Sequence, residues 1–153
     1  MSRRDSREAA VKIIFQNMFT DQRLNAAGGD GAADFCGPDC AQMIETYLES
    51  TPEEECGEVD KIYIHNILEG VIKEVPAIDR HIIKNSKDWT IDRMSRIDLA
   101  IMRVAIYEIL YREDIPASVS INEAVELAKK YSHEDAGSFI NGILGSIYSE
   151  SNA

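Results

Sequence analysis

The chain has 153 residues, of which 44% are hydrophobic and 28% charged, with 9 Gly, 4 Pro and a formal net charge of −11. These values are typical of an ordinary folded domain and exclude a disordered chain, a collagen-like chain and a disulfide-dense miniprotein. Because no apolar run reaches the roughly 18–20 residues of a membrane span and the first residues lead into no signal-type apolar segment, we expect one cytoplasmic domain over residues 1–153.

The first half of the chain predicts three helices and a long loop. Apolar residues recur from Arg7 to Phe19 at the i, i+3, i+4, i+7, i+8 spacing of an amphipathic helix. Residues 21–38 are rich in Gly, Ala and Asp without a sustained period, so we expect a mobile loop there. A second helix should begin near Pro38, and a third should run from about Glu54 to Val75, where Pro76 is expected to end it.

The second half predicts further helices around a central one. A short helix is expected over residues 76–85, and the segment from Ile97 to Tyr111 is apolar on most faces, which is typical of a helix buried on all sides. Ser120-Ile-Asn-Glu123 has the form of a capping box and should open the next helix. A last helix should follow Asp135.

Together these patterns predict an all-α fold, because no segment shows the period-2 alternation of a strand. We expect six to seven helices in two small bundles. The N-terminal lobe would cover residues 1–76 and the C-terminal lobe residues 77–148, followed by a tail at 149–153.

The negative charge is concentrated in one stretch of the chain. Residues 25–60 contain ten acidic and no basic residues, whereas residues 1–24 have a net charge of +2 and residues 80–112 are also net positive. The N-terminus therefore stays available to an anionic partner despite the total charge.

Three cysteines, Cys36, Cys40 and Cys56, are an odd number in a chain of ordinary domain size, and we expect reduced thiols. The alternative is a zinc site completed by His65. Paired Cys-x-x-Cys knuckles are missing, and helical periodicity already explains the positions of Cys40 and His65.

The sequence contains none of the catalytic and cofactor signatures that we sought: a phosphate-binding Gly-rich loop, a Gly-x-Ser-x-Gly elbow, His-Glu-x-x-His or a dinucleotide fingerprint. The acids that follow His133 are explained better by the helix start that they precede. We therefore predict no catalytic site, no cofactor and no metal.

Three arginines near the start of the chain form the strongest candidate binding feature. Arg3 and Arg7 share one helical face, Arg4 lies beside them, and Lys12 extends the patch by a turn. Phe15 lies about two turns below, where an aromatic ring could stack on an unpaired base. The alternative is that these arginines only keep the chain soluble.

Two well-separated blocks of the sequence carry a family resemblance. One is Asp98-Leu-Ala-Ile-Met-Arg-Val-Ala-Ile-Tyr-Glu-Ile-Leu-Tyr-Arg-Glu-Asp-Ile-Pro, continued by Val119-Ser-Ile-Asn-Glu-Ala-Val-Glu-Leu-Ala-Lys-Lys-Tyr and Asp135-Ala-Gly-Ser-Phe-Ile-Asn-Gly-Ile-Leu. The other is Arg3-Arg-Asp-Ser-Arg-Glu-Ala-Ala with Phe15-Gln16. In this order they resemble the NusB family of transcription antitermination proteins. The resemblance is specific over residues 95–147 and good over 1–20, whereas residues 21–75 agree in helical pattern only.

The resemblance implies a NusB-like fold of two perpendicular helical bundles without enzymatic activity. Proteins of this family pair with NusE, a small-subunit ribosomal protein, and the pair binds the single-stranded boxA element of ribosomal RNA leader transcripts. Other Nus factors and RNA polymerase join indirectly, and the polymerase then transcribes through terminators. Homodimers occur in some relatives, so the resemblance leaves the oligomeric state open.

The resemblance also implies, position by position, which residues form the sites. It implies RNA contacts for Arg3, Arg4, Arg7, Phe15, Arg103, Asp135 and Phe139, and a place near the RNA and NusE surfaces for Asp98. Packing offers an alternative for two of them. Arg103 lies among apolar neighbours and could form a buried ion pair with Glu108 or Asp135, and Phe139 is in phase with core positions. Asp5 and Ser138 depart from the family pattern and would weaken phosphate attraction.

Two other functions fit parts of the sequence. The NusB-like domain of an RNA cytosine methyltransferase would need a second domain for cofactor and catalytic cysteine, which we do not expect in a chain of 153 residues. The stronger alternative is an acidic helical scaffold that binds basic proteins and never touches RNA. The two hypotheses differ in whether replacing Arg3, Arg4 and Arg7 abolishes RNA binding while partner binding persists.

Overall fold

The structure is a computed structural model that describes residues 3–21, 24, 39–52, 59–86 and 94–151. The described residues form six helices and no strand, which confirms the predicted all-α class. The helices are α1 (Arg3–Asn17), α2 (Cys40–Ser50), α3 (Lys61–Asn85), α4 (Arg96–Tyr111), α5 (Ala117–Tyr131) and α6 (Ala136–Ser151). Pro38 and most of the predicted loop 21–38 lie outside the described residues.

Helix α4 lies at the centre of the fold, as its apolar sequence predicts. Every residue from Asp98 to Ile106 is buried, and α4 packs against α1, α3, α5 and α6. All six helices contribute to one hydrophobic core. The side chains in the middle of α4 are therefore held by several neighbouring helices, which fixes their positions.

Helix α3 continues through Pro76, so the prediction that a helix ends at Val75 is wrong. The residues predicted as a separate short helix, 76–85, are the second half of α3. A proline inside a helix removes one hydrogen bond and costs roughly 3 kcal/mol or more. Here Val75 and Ile78 are buried on either side of an exposed Pro76, and this burial outweighs the local cost. The predicted lobe boundary at residue 76 falls within α3, and the division into lobes stays a prediction.

The predicted capping box at Ser120 is also wrong. Helix α5 begins at Ala117 with Pro116 as its N-cap, and the Pro116 carbonyl accepts hydrogen bonds from the amides of Val119 and Ser120. Pro116 has the extended backbone of an N-cap residue, with φ −60° and ψ 137°, and the helix begins one turn earlier than expected. Ser120 lies inside the helix, fully buried.

Candidate nucleic-acid interface

The three N-terminal arginines have different environments, although they lie on one turn of α1. Arg7 is buried, and its guanidinium forms a bidentate ion pair with Glu108 of α4, with Nε–Oε1 and Nη2–Oε2 distances of 2.8 and 3.0 Å. The Tyr63 hydroxyl donates to the same carboxylate at 2.6 Å. Arg7 therefore ties α1 to α3 and α4. Its predicted RNA contact stays a prediction, which its 3% exposure disfavours.

The charges in this buried cluster stabilise one another. Burial alone would lower the pKa of Arg7, but the hydrogen bond and the charge of Glu108 outweigh it and raise the pKa. Burial and the neighbouring carboxylate also raise the pKa of the Tyr63 hydroxyl. The Glu108 carboxylate therefore stabilises the charged form of Arg7 and the neutral form of Tyr63.

Arg3 and Arg4 are exposed and available to a partner. The Arg3 guanidinium lies over the Tyr63 ring, 4.3 Å from the ring centroid, and no described carboxylate pairs with it. Arg4 pairs with Glu123 of α5 through two hydrogen bonds of 2.8 and 2.9 Å, while 68% of its side chain stays exposed. The RNA contacts of these two arginines stay predictions, which their exposure favours.

A second group of charges continues the surface along α1 and onto the end of α5. Glu8 accepts hydrogen bonds from Lys130, at 2.7 Å, and from the Tyr131 hydroxyl. Lys12 lies 3.8 Å from the same carboxylate and 5.4 Å from the centroid of the Tyr131 ring. We call the residues Arg4, Glu8, Lys12, Lys130 and Tyr131 the α1/α5 surface. It brings together cations and an exposed aromatic ring, the components that bind single-stranded nucleic acid.

Phe15 is half-buried, and its exposed neighbour Phe19 is the more accessible ring. The two rings pack edge to face with centroids 5.3 Å apart, and Phe19 is 58% exposed. The Arg96 guanidinium, at the start of α4, lies 4.9 Å from the Phe19 centroid. Phe19 and Arg96 were not among the predicted contact residues. An aromatic residue four positions after Phe15 lies on the same helical face, so the sequence indicated the second ring.

Arg103 is completely buried and forms the predicted kind of ion pair with a different acid. Its guanidinium donates to Asp79 of α3 at 3.0 and 2.7 Å, and to the Leu24 carbonyl at 2.7 Å. The expected partners Glu108 and Asp135 are therefore wrong. The Arg103 side chain is 0% exposed, so an RNA could not reach it in this conformation. Its RNA contact stays a prediction, and this burial argues against it.

Asp98, Asp135 and Phe139 line one cavity of about 460 Å³ between the starts of α4 and α6. Met94, Ser95, His133 and Ala136 complete its lining. Asp98 is 8% exposed, and its Oδ1 atom is buried without a hydrogen-bond partner. A buried acceptor of this kind favours a ligand that brings a donor. The structure thus places these three predicted residues together, apart from the arginines of α1.

The described part of the chain holds no group of three or more His, Cys, Asp or Glu side chains placed to bind a metal ion. Cys36 and Cys56 of the alternative zinc site lie outside the described residues. None of the described helices is both long and apolar enough to span a membrane.

Comparison with known proteins identifies the family. The family model described as the NusB family matches residues 4–149. The transcription antitermination protein NusB of Ruminiclostridium cellulolyticum is 44% identical over 96% of this chain and 88% of its own length. The fold matches a solved structure of T. maritima NusB with a TM-score of 0.76 and 31% identity, covering 98% of this chain and 92% of that one.

A solved structure of antitermination factors NusB and NusE in complex with dsRNA has the same fold, with a TM-score of 0.73 over 97% of this chain and 96% of that one, at 21% identity. The family match spans nearly the whole length, including both ends of the central helix and the arginine-bearing helix α1. This chain therefore belongs to the NusB family.

Proposed function

We propose that this chain is a transcription antitermination factor that binds boxA-type single-stranded RNA jointly with NusE, and that it acts in the cytoplasm by binding rather than by catalysis. Other Nus factors and RNA polymerase would join through this complex. The observation that carries the proposal is the row of exposed cations and rings that starts at Arg3 and follows the α1/α5 surface, on a chain of the NusB family.

Two separate parts of the surface would contact the partners in this proposal. Arg3, Arg4, Lys12 and Lys130 would hold the RNA backbone, because guanidinium and ammonium groups contact phosphates without regard to sequence. The cavity at Asp98, Asp135 and Phe139 would take a partner group with a hydrogen-bond donor, from the RNA or from NusE.

Fluorescence anisotropy of a labelled boxA-type RNA tests the proposal, with a scrambled RNA as control, with and without NusE, over a series of salt concentrations. We expect sequence-selective binding that NusE strengthens. Each phosphate contact to a single strand contributes about −0.7 to the slope of log affinity on log salt. The four cations therefore predict a slope no steeper than roughly −3.

Matched variants locate the contacts. Arg3→Gln combined with Arg4→Gln should weaken RNA binding and make the slope shallower by about 1.4, while binding to NusE persists. Lys129→Gln is the control, because Lys129 is an exposed lysine paired only with Glu126 on its own helix. Binding to NusE without preference for the boxA-type RNA would contradict the proposal and favour the acidic scaffold.

A further inference from the structure

Helices α3 and α4 enclose a groove of about 710 Å³ that none of the predicted site residues lines. Tyr107 and Tyr111 stack inside it, with ring centroids 5.3 Å apart and an angle of 26° between the planes. A Cβ atom on Gly70 would lie 2.1 Å from the Tyr107 ring, so the glycine lets that ring lie directly against α3. Tyr111 is 43% exposed. The groove therefore presents a supported aromatic ring with an open side.

A chain of contacts connects this groove to the exposed arginines of α1. Arg112, at the end of α4, lies 5.5 Å from the centroid of the Tyr63 ring on which Arg3 also rests. Arg112 donates to the side-chain oxygen of Asn66 at 2.8 Å, and Asn66 lines the groove. Arg112 also donates two hydrogen bonds, of 2.9 and 2.8 Å, to the Asp114 carboxylate, and these hold its guanidinium in this position.

The groove is lined by cations as well as acids, Lys61 and Lys73 beside Glu69 and Glu74. The acids that line it are engaged, since Glu74 accepts from the Tyr111 hydroxyl at 3.2 Å and Glu69 lies 3.5 Å from His65. Lys73 lines the same groove, and no described carboxylate pairs with it. A cation beside an exposed aromatic ring is the arrangement that binds single strands, with the ring stacking on a base and the cation facing the backbone.

We propose that nucleotides flanking the element held by Arg3 and Arg4 pass over Arg112 into this groove, where one base stacks on Tyr111. Arg112 and Lys73 face the phosphates on either side. The proposal rests on the proposed function, since it extends the same RNA. Continuity with Arg3 through Tyr63 favours RNA as the occupant over a peptide or a second copy of the chain.

The test compares a minimal boxA-type RNA with the same RNA extended by four unpaired nucleotides at its 5′ or its 3′ end, using the full chain. One of the two extensions should raise the affinity at least about fivefold, the lower limit for stacking one base on an aromatic ring. The extended RNA should also have a salt slope steeper by about 1.4, from two further phosphate contacts.

Four variants separate the groove from the rest of the surface. Tyr111→Leu and Arg112→Gln should each remove most of the gain from the extension and leave the affinity of the minimal RNA unchanged. Tyr148→Leu and Lys84→Gln are matched controls that should keep the gain. Tyr148 has a similar exposure, 42%, Lys84 is, like Arg112, a cation paired with a carboxylate, and neither residue lines the groove. Circular dichroism confirms that each variant is folded.

The outcomes are distinct. No gain from either extension, or a gain that survives both Tyr111→Leu and Arg112→Gln, would overturn the groove proposal and leave the proposed function standing. A dimer of the free chain that Tyr111→Leu dissociates would assign the groove to a second copy and would also overturn it. If the minimal RNA itself does not bind, the proposed function fails first.

Discussion

Replacing Arg103 with Met tests whether this arginine supports the fold or contacts RNA. Met keeps much of the buried side-chain volume but removes the guanidinium. The change leaves the Asp79 carboxylate without its ion pair, and it leaves the Leu24 carbonyl without its 2.7 Å hydrogen bond. Both groups lie at the buried contact between α3, α4 and the segment that follows α1.

The expected loss of stability follows from these two groups. Removing one partner of a buried ion pair costs about 3–5 kcal/mol. Because 16% of the Asp79 side chain is exposed, water can partly solvate the carboxylate, which favours the lower end. The unpaired Leu24 carbonyl adds about 1 kcal/mol. We therefore expect Arg103→Met to lower the free energy of unfolding by about 4 kcal/mol, and the Tm by roughly 8–16 °C.

The double variant Arg103→Met/Asp79→Leu isolates the ion pair. It removes the uncompensated carboxylate as well, so only the cost at Leu24 should remain, about 1–2 kcal/mol. Urea unfolding followed by circular dichroism measures all three proteins. A double variant as unstable as the single one would refute the argument, because the unpaired charge at Asp79 would then not be the cause.

The same variants decide the role of Arg103 in RNA binding. At a temperature where Arg103→Met is folded, its affinity for boxA-type RNA should equal that of the unchanged protein, because Arg103 has no exposed atom. A folded variant that loses RNA affinity would show that Arg103 leaves its buried site in the complex and contacts the RNA.

Three further changes test other parts of the structure. Arg7→Met leaves the fully buried Glu108 without its ion pair and should lower the free energy of unfolding by about 3–5 kcal/mol, measured with urea. Arg4→Gln removes an exposed ion pair and should leave the free energy of unfolding nearly unchanged. Equal losses would contradict the burial of only one of these ion pairs. Gly70→Ala places a Cβ atom 2.1 Å from a ring carbon of the facing helix and should destabilise the fold by about 1–3 kcal/mol, so an unchanged Tm would refute the close approach. Hydrogen bonds from its arginine partner lower the pKa of Asp114 to about 2. The stability from this pair is therefore present above the unfolded pKa near 3.9 and lost as the pH falls toward 2. Asp114→Asn should remove this part of the acid dependence, and identical stability curves between about pH 4 and 2 would contradict it.

The helices could be predicted from the sequence wherever the hydrophobic pattern itself decides the structure. Ile97–Tyr111 is apolar on most faces, and it forms the central helix. Pro76 was different, because the local cost of a proline had to be weighed against side chains packing from other helices. That comparison depends on the tertiary structure, and the burial of Val75 and Ile78 outweighs the proline.

Dependence on the tertiary structure also limited the prediction of the candidate site. Spacing placed Arg3, Arg4 and Arg7 on one turn of a helix, but it could not say which of them would meet a buried acid. Arg7 pairs with a residue 101 positions away and Arg4 with one 119 positions away. Only the folded chain brings these acids near, so the sequence predicted the cations of the site but not which of them would stay exposed.

The pairing of the exposed cations also limits how tightly this chain alone could hold RNA. Glu8 stays ionised at neutral pH, because hydrogen bonds from Lys130 and Tyr131 outweigh the effect of burial and lower its pKa. A phosphate that approaches Lys12 or Lys130 must therefore compete with a carboxylate already present, and one that approaches Arg4 must compete with Glu123. Each contact becomes an exchange of one anion for another, so it contributes less than a contact to a free cation. Residues 25–60 add ten acids and no base, so long-range attraction between this chain and RNA does not make up for these weaker contacts. On the proposed function, we therefore expect NusE to supply most of the electrostatic affinity, and this chain mainly to fix where the strand runs.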